Sequence, residues 1–114
     1  MEKERRYCVV ISLKSDSDLV RIGQDVPALI ACLQRHSTKS EQVFRSNDGQ
    51  LFGYFILTST PTGVIVAAIK TSKNFRNGDS VILFEVGDGL EGSGFSRAWT
   101  WLQRTTTGDQ LDDA

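Results

Sequence analysis

Cysteine, histidine and charge of one sign are all scarce in this chain of 114 residues, and each scarcity excludes something. The two cysteines, Cys8 and Cys32, lie far apart and cannot form a metal site by themselves. One disulfide would be a thin framework for a secreted domain. Both sit among apolar residues, where a buried free thiol is the ordinary state of cysteine. His36, the single histidine, has no Ser, Cys or acidic partner at a recognised spacing, so no nucleophilic triad can be assembled around it. Thirteen basic against fourteen acidic side chains leave a net charge of −1. A protein that neutralises many phosphates usually shows a clear basic excess. Any basic patch is therefore local, with Arg5 and Arg6 or Lys70, Lys73 and Arg76 as candidates. No apolar run reaches the ~18 residues that a membrane span needs. Residues 1–6 enter an apparent strand without a signal-peptide cleavage site, and the expectation is a cytoplasmic protein with no membrane partner.

Hydrophobic residues at 39% and charged residues at 24% describe an ordinary globular domain, and the length suits one core. Tyr7 to Leu13 reads as a strand, with Tyr7, Val9, Ile11 and Leu13 on one face and Cys8 and Val10 on the other. Apolar residues on both faces place it centrally in a sheet. Ser15 to Asp18 supplies helix caps, and Leu19, Ile22, Val26, Leu29, Ile30 and Leu33 form a helical stripe. Pro27 interrupts that stripe, so the reading is a main helix from about Asp25 to His36 after a looser turn. Glu41 to Arg45 and Leu51 to Thr58 form a hairpin across Asn47-Asp48-Gly49. Thr60-Pro61 suits an N-cap and first helical residue, after which residues 64–69 suit a helix better than a strand. Asn77-Gly78-Asp79 turns the chain into a last strand, Ser80 to Val86.

The predicted order is strand, helix, strand, strand, helix, strand, the split βαβ layout. The expected fold is thus α+β, a ferredoxin-like sandwich with a four-stranded antiparallel sheet. A C-terminal helix from Ser93 to Arg104 follows, carrying Phe95, Ala98, Trp99 and Leu102 on its docking stripe. Residues 1–104 make one domain and residues 105–114 a polar tail.

Gly87-Asp88-Gly89-Leu90-Glu91-Gly92 matches the dinucleotide-binding G-x-G-x-x-G pattern. Asp88 and Glu91 would repel a pyrophosphate, and too few residues follow to complete a βαβ unit. A hinge before the last helix is the better reading. Gln50 to Ile56 resembles the third-strand motif of RNA-recognition domains, in which Phe52 and Tyr54 would stack on bases. Gln50 stands where that motif has a basic residue, and Leu51 where it has glycine. Trp101 points away from the stripe of its helix and is expected, with Phe52 and Tyr54, at an interface. Asp16 and Asp18 could bind a hard divalent cation, but helix capping, which this residue type at this place performs routinely, is the better reading.

The layout resembles the ferredoxin-fold family of CRISPR-associated endoribonucleases and related toxin–antitoxin proteins. The residues that carry the likeness are Tyr7 to Leu13, Phe55 to Ser59 and Asp79 to Gly87. That resemblance implies a homodimer and, in active members, metal-dependent cleavage of RNA or DNA by an aspartate ending the first strand. Leu13-Lys14 holds that place here, and Asp16, two residues on, is the matching carboxylate. The expectation is a dimeric binding or accessory protein with no cofactor. The alternative is a Mg2+-dependent endonuclease in which Asp16 is catalytic and a metal ligand, and the third is a single-stranded RNA-binding module.

Overall fold

The structure is a computed structural model that describes residues 3–87. It is α+β: β1 (Arg5–Ser12), α1 (Leu19–Arg35), β2 (Lys39–Arg45), β3 (Leu51–Thr58), α2 (Thr62–Lys70) and β4 (Ser80–Glu85). The strands form one antiparallel sheet in the order β2-β3-β1-β4, a layout that a ferredoxin-like sandwich fits. The expected C-terminal helix, the Gly-rich hinge at 88–92, the tail and Trp101 lie outside the described residues.

The alternation read from the sequence sorts the sheet into two faces. Val9 and Ile11 of β1 and Phe52 and Ile56 of β3 share one face with Ile22, Val26, Leu29 and Leu33 of α1 and Ile65 and Ile69 of α2. These side chains are the core. Both described helices therefore cover the same face. The opposite face carries Cys8 and Val10 of β1, Leu51, Phe55 and Leu57 of β3, and Ile82 and Phe84 of β4, as the cross-strand pairing requires.

α1 is longer than the sequence suggested, running unbroken from Leu19 through Pro27. Asp18 starts it by accepting the Arg21 N–H at 2.8 Å, which makes it the cap and the looser turn the first helical turn. Pro27 lacks the donor that would reach the Gly23 carbonyl, but Gly23, Gln24 and Pro27 are all exposed, so water can serve that oxygen. The second helix begins at Thr62 with Pro61 as its cap, one residue later than the proline pattern implied.

The β2–β3 hairpin turns on Gly49, whose φ of +77° is the left-handed conformation that glycine tolerates best. A bulge between Gln42 and Phe44 shifts the register of β2 and lays the Phe44 ring over Gly53. A Cβ on residue 53 would sit 2.3 Å from that ring, so the close approach needs glycine there.

Candidate functional site

Two places concentrate chemistry: a polar cluster at the entry to β4, and β4 itself. The cluster is built on Arg21, which is buried on the first turn of α1. Its Nε donates to Asp25 Oδ2 at 2.6 Å, one helical turn on. Its Nη1 donates to Ser17 Oγ and Asp79 Oδ1, both at 3.0 Å. Its Nη2 donates to the Asn74 carbonyl at 3.3 Å and to Asp79 Oδ2. All five guanidinium donors are thus engaged inside the fold.

Asp79 also accepts the backbone N–H groups of Lys14 and Arg76, each at 2.8 Å. Asp25 also accepts from Asn74 Nδ2 at 2.9 Å and pairs with Arg76 Nε at 3.1 Å. Burial pushes both carboxyls up, but the hydrogen bonds and the arginine charges outweigh it, and both lie below the usual carboxylate range. The hydrogen bonds to Asp79 outweigh burial in turn and hold Arg21 more firmly protonated. The cluster joins the end of β1, the start of α1 and the loop before β4.

A cleft of about 290 Å³ opens beside this cluster, lined by Lys14, Asp16, Ser17, Asp18, Arg76 and Asn77 among others. Asp16 is exposed there, 3.7 Å from Lys14 Nζ. Asp18 is engaged as the helix cap, and Asp25 and Asp79 are matched by Arg21 and Arg76. Among the described residues no group of three or more His, Cys, Asp or Glu side chains is placed to hold a metal ion. Asp16 beside an ammonium group is a poor fit to Mg2+, which favours clustered oxygen ligands.

Phe52, read as a base-stacking ring, is fully buried in the core beneath the helices. Tyr54 is half-buried edge-on to it, with ring centroids 6.4 Å apart. Both rings belong to the helix-covered face, so in this fold a base cannot stack on Phe52. His36 ends α1 as its C-cap. Cys8 and Cys32 are buried free thiols, and burial pushes Cys8 up to about 11.

The large apolar side chains that do reach solvent on the strands lie on the face without described helices. Ile82 is 60% exposed and Phe84 49% exposed, both on β4. Among the described strands β4 is also an edge. Val86 donates its N–H to the Arg6 carbonyl at 2.8 Å, so by the alternation of an antiparallel ladder the N–H groups of Val81, Leu83 and Glu85 point off the sheet. Sequence reasoning saw the strand. It did not see that β4 lies at the edge of the described strands, because only the pairing of β1 with both β3 and β4 reveals this.

No protein-family model matches this chain, and no curated protein does. Among solved structures, the uncharacterized protein TM1266 from Thermotoga maritima is similar at 12% identity and a TM-score of 0.44, over 73% of this chain and 98% of that one. No described helix is long and apolar enough to cross a membrane.

Proposed function

We propose that this protein acts by binding, as a self-associating module whose docking element is the edge of β4, unpaired among the described strands, and the apolar side chains beside it, and that the occupant is a second copy of the chain. The observation that carries this is the unguarded character of the strand. Natural sheets blunt their edges with charge, bulges or proline, because an open row of N–H and C=O groups invites another strand. β4 reads Ser-Val-Ile-Leu-Phe-Glu, with no proline, no bulge in its pairing and one charge at its far end.

A second β4 can pair with the first around a two-fold axis. Pairing centred on Leu83 sets Ile82 of one copy opposite Phe84 of the other, on the same face. Aromatic and β-branched residues placed opposite one another contribute about 0.2–1 kcal/mol per pair. The net charge of −1 gives two copies little reason to repel.

Sedimentation or light scattering across a dilution series tests the reading. The expected result is a dimer at high concentration that dissociates on dilution and is lost in Ile82→Lys. A monomer at every concentration would overturn it.

A further inference from the structure

The basic pair at the start of the chain is split by the strand that carries it. Alternation sends Arg6 to the face of Leu57, while Arg5 shares the helix-bearing face with Tyr7, Val9 and Ile11. Arg5 stands opposite Thr58, the last residue of β3, and the chain then turns through Ser59 and Thr60 toward α2. At this end of the sheet, the start of β1 rather than the end where Arg21 sits, a cleft of about 390 Å³ opens. Its lining includes Lys3, Arg5, Tyr7, Ser59 and Thr60.

The charge in this cleft is of one sign. Lys3 and Arg5 bring two positive groups, and no carboxylate is among the described residues that line it. Glu85 approaches Arg5 at 3.4 Å from outside the lining, but both side chains are exposed and such a pair contributes little. Thr58 fixes the opposite wall. Its Oγ1 donates to the His36 carbonyl at 2.5 Å and accepts the Thr60 N–H at 3.0 Å. The hydroxyls of Ser59 and Thr60, carried on that tethered turn, have no hydrogen-bond partner among the described residues.

Two cations facing hydroxyl donors on a fixed turn suit a phosphate group, which carries a charge near −2 and accepts through several oxygens. The cleft lies near the lower end of the range for small-molecule sites, about 300–1,000 Å³. A nucleic-acid strand would instead need a groove of cations tracking its backbone. We infer that this cleft is a binding site for a small phosphate ligand, with Lys3 and Arg5 as counter-charges and Ser59 and Thr60 as hydroxyl donors. The inference goes beyond self-association, because every group it uses lies within one copy of the chain.

Titrating the isotope-labelled full chain with inorganic phosphate and with glycerol phosphate, at constant ionic strength, tests it. Saturable shifts of the Ser59 and Thr60 amide signals are expected, and none with chloride. Replacing Lys3→Gln and Arg5→Gln together is expected to weaken binding by about tenfold or more, as loss of charge-assisted hydrogen bonds does. Lys73→Gln removes an exposed charge beyond the far end of α2 and should leave binding unchanged. Should the double variant lose its folded spectrum, Thr60→Val decides, and it is expected to weaken binding without altering that spectrum. Shifts that never saturate, that follow basic side chains everywhere, or that weaken equally in Lys73→Gln would overturn the inference. So would a short single-stranded RNA that binds when neither phosphate does. Within a positive result, the tighter of the two phosphates tells a phosphate ester from the free ion.

Discussion

The two outer strands of the described sheet are built to opposite rules. β2 carries Lys39, Glu41, Gln42 and Arg45 on seven residues and is broken by a bulge after Gln42. β4 carries Val81, Ile82, Leu83 and Phe84 in unbroken register with β1. The first is the pattern by which a sheet refuses another strand, and the second is the pattern that accepts one. Within the described sheet, then, polarity distinguishes a guarded edge from an unguarded one.

The largest effect expected from attacking this asymmetry comes from the cluster that delivers the chain into β4. Arg21→Met should leave Asp25 and Asp79 buried without their main partner, at a cost of about 3–5 kcal/mol, read as a lower midpoint in urea denaturation. The same two carboxyls set an acid limit. Their folded values lie below the unfolded one, so the stability they contribute is complete above the unfolded value of about 4 and is lost as pH falls through the folded values. Denaturation midpoints recorded from neutral pH downward should therefore fall in acid, and more steeply in the parent than in a variant lacking both carboxyls.

The core and the edge differ next. Phe52→Ala should cost about 3–5 kcal/mol, because it empties a fully buried site. Ile82→Lys should change stability by no more than about 0.5 kcal/mol while weakening self-association tenfold or more, equivalent to about 1.4 kcal/mol. If Ile82→Lys unfolds the chain but leaves association intact, the distinction between core and docking side chains fails. Replacing Lys39 and Glu41 together by valine asks the converse question, and it should add weak association through β2. The smallest effect is assigned to Asp16→Ala: stability within about 0.5 kcal/mol of the parent. Labelled RNA incubated with Mg2+ should give the same gel pattern for both proteins, and cleavage by the parent alone would favour the nuclease reading instead.

Much of this architecture was legible in local chemistry. β3 spans Leu51–Thr58 as its alternation indicates, and Asp48-Gly49 turns the hairpin as its dipeptide indicates. The stretch 64–69, ambiguous between helix and strand, is helical because Ile65 and Ile69, one turn apart, both reach the core. α1 was read short because proline in a helix is judged by what it removes, and here the orphaned Gly23 carbonyl faces water. The Arg21 cluster was missed for a different reason. Arg21 and Asp25 carry a visible i,i+4 signal, but Asp79 is 58 residues away and Asn74 lies in a loop. Nothing in local spacing brings those parts together. Phe52 and Tyr54 were read correctly as sharing a face, but their motif could not say which face the helices would take.

β4 is fastened at both ends, by Asp79 to the Arg21 guanidinium before its first residue and by Gly87 to Arg6 after its last. A strand tied at two points cannot slide, and a slip of one residue would exchange Ile82 for Leu83 on the open face. The edge is therefore presented in one phase only. Most of the conformational freedom that docking would otherwise remove is thus already gone before any strand is added, so even a short strand could form a contact of defined register.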